Sequence, residues 1–298
     1  MHDVGIVILN WNTRDLLRRC LETVLASEGD FTYRVVVVDN ASDDGSADMV
    51  RQDFPQVELI VSPINGGYPY GNNLGLRALG FAGPGQVAAD APRYAVLLNP
   101  DTEVPPDAFY RMLQYMDARP EIGAAGPKLV LADGSLDLAC RRSFPTPLVS
   151  FYRFSGLSRL FPRHPQFGRY NMTFADPDEE LEVDSVVGAY MQVRGAAIAA
   201  VGLLDETFFM YGEDLDWAYR IKNAGWKVFY NPRIVVKHVK RAASRQSRRA
   251  QLEFQRAMVI FYRKHYRTIT PRWIHLLVLG GLLLKGGPAL LPEIRKTF

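Results

Sequence analysis

Apolar residues in the first hundred positions fall in short runs separated by helical patterns. Val4–Leu9 is an unbroken apolar run, the signature of a strand buried on both faces. After it, Leu16, Leu17, Cys20, Leu21, Val24 and Leu25 recur at helical spacing, with Asn12 or Thr13 placed to cap the helix. Arg34–Val38 predicts a second buried strand, Asp43–Ser46 a turn opening a short helix to about Phe54, and Val57–Val61 a third strand. Gly66-Gly67 breaks the chain before a helix near Asn72–Leu79. Tyr94–Leu98 predicts a fourth strand and Pro106–Ala118 another helix. This alternation predicts an α/β fold with a parallel, doubly wound sheet flanked by helices.

The second half is less regular. Ile122–Leu131 predicts a strand and Asp133-Gly134-Ser135 a hairpin turn. Residues 143–183 carry Pro145, Pro147, Pro162, Pro165 and Pro177 among many aromatics, a long irregular excursion of the kind that often serves function. Val186–Val193 predicts a strand, Glu213–Ala224 a helix stopped by Gly225, and Val228–Tyr230 and Ile234–Lys237 two short strands. Gln251–Tyr266 predicts a helix. Trp273–Leu284 then runs without Asp, Glu, Lys or Arg until Lys285. A spanning helix needs roughly 18–20 apolar residues, so this segment suits either an interfacial helix flanked by Arg272, Arg295 and Lys296, or a C-terminal helix packed on the domain or into a dimer.

The 298 residues are 48% hydrophobic and 22% charged, which excludes disorder and allows a full core without staples. Two cysteines, Cys20 and Cys140, exclude a disulfide framework and a Cys-rich zinc site. No basic segment leading into an apolar one opens the chain, so no secretory signal is visible and a reducing cytoplasm is expected. The net charge of +3 conceals strong polarity. Residues 237–298 carry +12, with Glu253 and Glu293 their only acids, which leaves −9 on residues 1–236. Such a tail is either a solvated basic helix or a surface for phosphates, an acidic membrane or nucleic acid.

Several common chemistries are missing. Gly66–Gly71 does not fit the dinucleotide fingerprint, its P-loop-like spacing fails at Asn72 where lysine is needed, and no G-x-S-x-G elbow occurs. What stands out is a row of polar residues at predicted strand ends: Asn10-Trp11-Asn12, Asp39-Asn40, Asn65-Gly66 and Asn99-Pro100-Asp101. Each alone is a good turn former; together they point to a site, because open α/β sheets bind ligands at the carboxyl ends of their strands. Asp101, with Glu103 two residues on, can hold a hard divalent cation. Glu213 and Asp214 stand at a helix start, as caps or as working carboxylates. His238, between Lys237 and Lys240, suits a phosphate or metal role.

Five segments in order then resemble family 2 of the GT-A-fold glycosyltransferases, most nearly its bacterial rhamnosyltransferase-like branch: Ile8–Asn12 (ILNWN), Val37–Ser46 (VVDNASDDGS), Asn65–Gly67, Leu98–Thr102 (LNPDT) and Phe209–Asp216 (FMYGEDLD). The resemblance spans about residues 4–240. It implies that Asn10 and Asp39 line a nucleoside pocket and that Asn12 and Asn40 are among the nucleotide-sugar-binding residues. It implies that Asn65 and Gly66 approach the donor, that Asn73 joins the nucleotide-sugar-binding residues, and that Gly188-Ala189 border the sugar. Asn99-Pro100-Asp101 would stand at the metal-binding DxD position, with Asn99 replacing the first acid and Asp101 the remaining charged ligand. His238 would complete a site for Mg²⁺ or Mn²⁺ or for the diphosphate. Asp214 would be the catalytic base, with Glu213 beside it.

The resemblance implies a transferase domain over residues 1–240, with a nucleotide-binding half to about 104 and an acceptor half beyond it. Residues 241–298 would be a basic helical extension. The expected reaction is inverting transfer from a nucleotide-diphosphate sugar, with dTDP-rhamnose as candidate donor, to a hydroxyl of a glycan or lipid-linked acceptor in cell-surface polysaccharide synthesis. One base activates the hydroxyl while metal or basic groups stabilise the leaving diphosphate. Expected partners are the donor, the acceptor, an anionic surface at the inner face of the membrane, and a second copy in a homodimer. Two other readings compete. A sugar nucleotidylyltransferase would want a Gly-rich basic loop where Trp11-Asn12-Thr13 stands. A non-catalytic sugar-binding module would not need Asp101 and Asp214. Nucleic acid is not expected, because residues 240–249 hold no aromatic residue for base stacking.

Overall fold

The computed structural model of the chain describes residues 2–239 and 248–297. Its first half runs β1 (Val4–Asn10), α1 (Arg14–Leu25), β2 (Tyr33–Asp39), α2 (Ser46–Asp53), β3 (Glu58–Val61), α3 (Tyr68–Ala78), a small hairpin β4–β5 (Phe81–Gly83, Gln86–Val87) and β6 (Tyr94–Leu98). β1 is buried throughout and pairs in parallel with β2 and β6, while β3 extends the edge beside β2. The doubly wound expectation holds here. Helix α3 begins before the predicted Asn72, because Pro69 fits a first helical turn. It lies close on β1: a Cβ at Gly75 would stand 2.4 Å from Val7 Cγ1, so only glycine permits the approach.

The second half runs β7 (Thr102–Glu103), α4 (Ala108–Asp117), β8 (Ile122–Val130), α5 (Pro147–Phe154), α6 (Leu157–Leu160), β9 (Leu181–Glu182), β10 (Tyr190–Arg194), α7 (Gly195–Val201), α8 (Glu213–Asn223) and β11 (Lys227–His238). The sheet order is β3-β2-β1-β6-β10-β8-β11-β7, with β9 on β11. The sheet is therefore mixed, because β10 runs antiparallel between β6 and β8. That reversal puts the start of β10, not its end, beside the carboxyl ends of β1 and β6, and Asn99 N–H donates to Ala189 O at 3.0 Å. The predicted strand 186–193 is shorter at its start, and residues 186–189 are loop beside the carboxyl end of β6. The two strands expected around Pro232 are one bulged strand, whose register slips between Asn231 and Val235 where proline cannot donate. The turn at Asp133–Ser135 closes only a single bridge, Val130 to Leu136. The 143–183 excursion is less irregular than expected, since it contains α5 and α6.

Three helices follow: α9 (Arg248–His265), α10 (Arg272–Gly286) and α11 (Leu291–Arg295). Phe261, Ile260, Leu279 and Leu290 pack with Phe208 and Leu215 in a second apolar cluster, so the tail docks on the body through α8. The expected boundary at 240/241, Lys240 and most of the basic 240–249 stretch lie outside the described residues. Among the described residues no helix is long and apolar enough to cross a membrane.

Candidate active site

A cavity of about 1330 Å³ opens at the carboxyl edge of the sheet, and Asn99, Asp101, Gly188, Ala189, Glu213, Asp214 and His238 all line it. Three pieces of topology bring them there. β6 delivers Asn99 and Asp101, the reversed β10 delivers Gly188-Ala189, and the antiparallel pairing of β11 with β7 sets His238 opposite Thr102. Val239 N–H donates to Asp101 O at 2.8 Å and fixes that register.

His238 is buried between two carboxylates. Its Nε2 lies 3.2 Å from Asp101 Oδ1, and its Nδ1 lies 2.9 Å from Asp137 Oδ2. Asp137 in turn accepts Ala139 N–H through Oδ1 at 3.1 Å. The imidazole is thus oriented from behind, with its other nitrogen turned to Asp101, the arrangement that serves histidine metal ligands. Among the described residues no group of three or more acids, histidines or cysteines could by itself enclose a metal ion.

The second pair differs in character. Asp214 Oδ2 accepts Arg142 Nη2–H at 2.7 Å and Gly188 N–H at 3.1 Å, and its Oδ1 accepts Leu215 N–H at 2.8 Å. This is a buried, hydrogen-bonded ion pair. Glu213 is equally buried, yet its Oε2 has no hydrogen-bond partner among the described residues. Burial, and then the charge of Asp214, push the Glu213 carboxyl up to about 8. Asp216 is structural: it meets Arg220 at 2.8 Å, and Lys264 and His265 of α9 at 2.7 Å each. Burial alone would raise it, but the His265 hydrogen bond and the charges of Arg220 and Lys264 outweigh burial and lower it to about 2.

The other expected residues form a hydrogen-bonded seam over the ends of β1 and β2, apart from the cavity lining. Asn10 is fully buried and donates to Asp39 Oδ1 at 3.0 Å and Ser42 Oγ at 3.1 Å. Asn12, at φ +52°, accepts Asp43 N–H. Asn40 donates to Asn65 Oδ1 at 2.9 Å and accepts Gly66 N–H at 3.2 Å. Asn73 is a brace: its Nδ2 donates to Leu204 O and Glu206 Oε1, and its Oδ1 accepts Leu204 N–H. That engagement explains a buried asparagine on α3 without a ligand.

Three residues in the site were not singled out from sequence. Asp137 lies in an unremarkable loop. Arg142 opens the proline-rich excursion, and only that excursion's unusual composition hinted at it. Tyr68 donates its hydroxyl to Gly188 O at 2.8 Å, and a Cβ at Gly188 would stand 2.6 Å from that oxygen.

Residues 2–254 match the family described as "Glycosyltransferase like family 2". Among curated proteins, the chain is 32% identical over 228 residues to N-acetylglucosaminyl-diphospho-decaprenol L-rhamnosyltransferase of Mycobacterium tuberculosis, covering 74% of this chain and 72% of that protein. It is 26% identical over 223 residues to the low-salt glycan biosynthesis hexosyltransferase Agl10 of Haloferax volcanii, covering 74% and 62%. Among solved structures, it resembles in fold the mannosyltransferase PcManGT from Pyrobaculum calidifontis, in complex with GDP-Man and Mn²⁺. The TM-score is 0.59 at 17% identity, over 99% of this chain and 74% of that one.

The buried Glu213, whose Oε2 has no partner among the described residues, makes stability depend on pH in a fixed direction. Its carboxyl is raised in the folded state, so the native fold favours the neutral form. Below the ordinary carboxyl value both states are protonated; as pH rises through about 8 that contribution is lost. Glu213→Gln, neutral at every pH, should therefore gain Tm relative to the parent between about pH 5 and pH 8 and hold the gain above. Melting curves across that range check it; a Tm difference independent of pH would refute the assignment.

Proposed function

This chain belongs to family 2 of the glycosyltransferases, related to the bacterial rhamnosyltransferases, uses a nucleotide-diphosphate sugar on a GT-A fold, and, we propose, transfers that sugar with inversion to a hydroxyl of a lipid-linked glycan. The observation that carries the mechanism is one cavity lined by both a carboxylate pair at a helix start and a carboxylate–imidazole pair at the strand ends. Inversion needs one base on the acceptor side and charge stabilisation on the leaving side, and the two pairs divide that work.

The nucleoside would lie along the seam of Asn10, Asn12, Asp39, Asn40, Asn65 and Gly66. Trp11, half exposed at the end of β1, offers an aromatic face there. Asn99 and Gly188-Ala189 would border the diphosphate and sugar. Asp101 and His238 fit a hard cation that takes its remaining ligands from phosphate, since Mg²⁺ commonly binds one or two carboxylates plus substrate phosphates. Bound there, Mg²⁺ or Mn²⁺ would neutralise the leaving diphosphate. Mn²⁺ accompanies the nucleotide sugar in the Pyrobaculum enzyme.

Asp214 is the proposed base. Arg142 orients it, and among the described residues its Oδ1 accepts one hydrogen bond, from Leu215 N–H, which leaves room for an acceptor hydroxyl. The free Oε2 of Glu213 favours a second reading in which Glu213 takes the proton. The mycobacterial relative's name supports L-rhamnose as the sugar and a saccharide on a lipid diphosphate as the acceptor. Reaction at the cytoplasmic side of the membrane agrees with two buried free thiols, Cys20 and Cys140.

Asp214→Asn should still bind nucleotide diphosphate while turnover falls on the order of 10²–10⁴-fold. Calorimetry with and without Mn²⁺, followed by assay with the donor, reads both. The pH profile separates the two bases. A rate limited by Glu213 ionisation climbs as pH rises through about 8, whereas a rate flat across that range leaves the role with Asp214. Normal turnover in Asp214→Asn would remove it from the mechanism.

A further inference from the structure

Helix α10 presents two opposite apolar faces, and the described residues cover one of them. Leu279 and Leu282 are buried in the cluster with α9, whereas Trp273, Leu276, Leu277 and Leu284 are 66%, 59%, 68% and 88% exposed. With exposed Gly280 they fall at i, i+3, i+4, i+7 and i+11, a single stripe along the outer side. Ile269, in the short turn before the helix, is also 72% exposed. Scattered exposed apolar residues are ordinary, but a contiguous stripe marks an interaction surface.

The charge around the stripe selects its occupant. No Asp or Glu occurs between Glu253 and Glu293, and Glu293 is itself buried against Arg263 at 2.6 Å. Arg272 and Lys285, at the two ends of the stripe, have no acidic partner among the described residues, and neither has Arg295. In a two-fold dimer the same patch would face itself and bring these cations toward their own copies. An anionic bilayer complements both features, accepting the apolar face between headgroups and attracting the cations. At about 1.5 Å per residue α10 is too short to span a bilayer, and it suits lying in the surface plane with Trp273 at headgroup level.

The stripe also leads to the active site. Lys285 and Gly286 line the cavity, and the Lys285 ammonium sits 4.7 Å from the Phe154 ring centroid of α5. The α5–α6 segment adds further exposed apolar side chains, Leu148, Phe151, Leu160 and Phe161. Arg153 of α5 lines the same cavity, its guanidinium 4.3 Å from the Tyr170 ring centroid.

We propose that the outer face of α10, adjoined by α5–α6, docks the enzyme on an anionic lipid bilayer and sets the cavity rim at the membrane surface. The purpose of this docking, loading of a lipid-linked acceptor, rests on the transferase reading above; the docking itself does not. Flotation of the full chain with phosphatidylcholine vesicles, with and without phosphatidylglycerol, tests it without donor or acceptor. The protein should float with the anionic vesicles, less so with the neutral ones, and release as salt rises. Leu277→Glu combined with Leu284→Glu, both solvent-facing, should lower the bound fraction about tenfold or more while Tm and nucleotide binding stay unchanged. Absence of flotation at low salt overturns the proposal, and a dimer in sedimentation that the same substitutions dissociate would assign the face to a second copy. Equal flotation of the variant and the parent overturns it too. Each of these failures leaves the transferase chemistry standing, and a failed transferase assay leaves flotation unaffected.

Discussion

The buried ion pair between Arg142 and Asp214 ties the base of the 143–183 excursion to the loop before β10 and to the start of α8, three of the segments that line the cavity. Arg142 Nη2 also donates to Val186 O at 2.8 Å, and its backbone pairs with Ser185, so the same residue closes the base of the 143–183 excursion. Asp214 receives Gly188 N–H, while Gly188 O receives the Tyr68 hydroxyl, which links α8 through the β10 entry to α3. Burying two charges is costly, and such a pair need not add net stability over an apolar substitute. It does fix geometry, because either charge left alone in that environment costs several kcal/mol. Excursion, the loop before β10 and helix α8 are held in one arrangement by this constraint.

Asp101, Asp137, Glu213 and Asp214 line the cavity beside His238 and the buried Arg142, while the exposed Arg153, Arg248 and Lys285 also line it with no acidic partner among the described residues. A donor carrying a diphosphate and an acceptor carrying a hydroxyl make opposite demands, cationic neutralisation for one and a proton acceptor for the other. The antiparallel insertion of β10 brings these demands within one cavity, since a parallel strand would have sent Gly188-Ala189 to the other edge of the sheet.

Much of this architecture was legible along the chain. The apolar runs of β1, β2 and β6 read directly as buried strands, and Asp101, His238, Glu213 and Asp214 stood out at strand and helix ends. The direction of β10 was not legible, because an apolar run has the same pattern whichever way it is traversed. Pro232 split β11 in two on paper, since proline ordinarily ends pairing, whereas the strand absorbs it as a bulge. Asp137 and Arg142 act through contacts 101 and 72 residues away in sequence, which no local pattern encodes. The contacts of Asn73 were equally hidden, since its partners Leu204 and Glu206 lie more than a hundred residues on. The adjacency of Glu213 and Asp214 was plain, but which oxygen is free depended on Arg142.

A double-mutant cycle across that pair addresses the central claim most directly. Arg142→Met and Asp214→Leu, alone and combined, would be unfolded in urea. The account predicts that each single variant loses about 3–5 kcal/mol, because it strands a buried charge, while the double variant loses less than either. Losses that simply add would show that the two charges do not depend on each other, and the cavity would have to be held by something else.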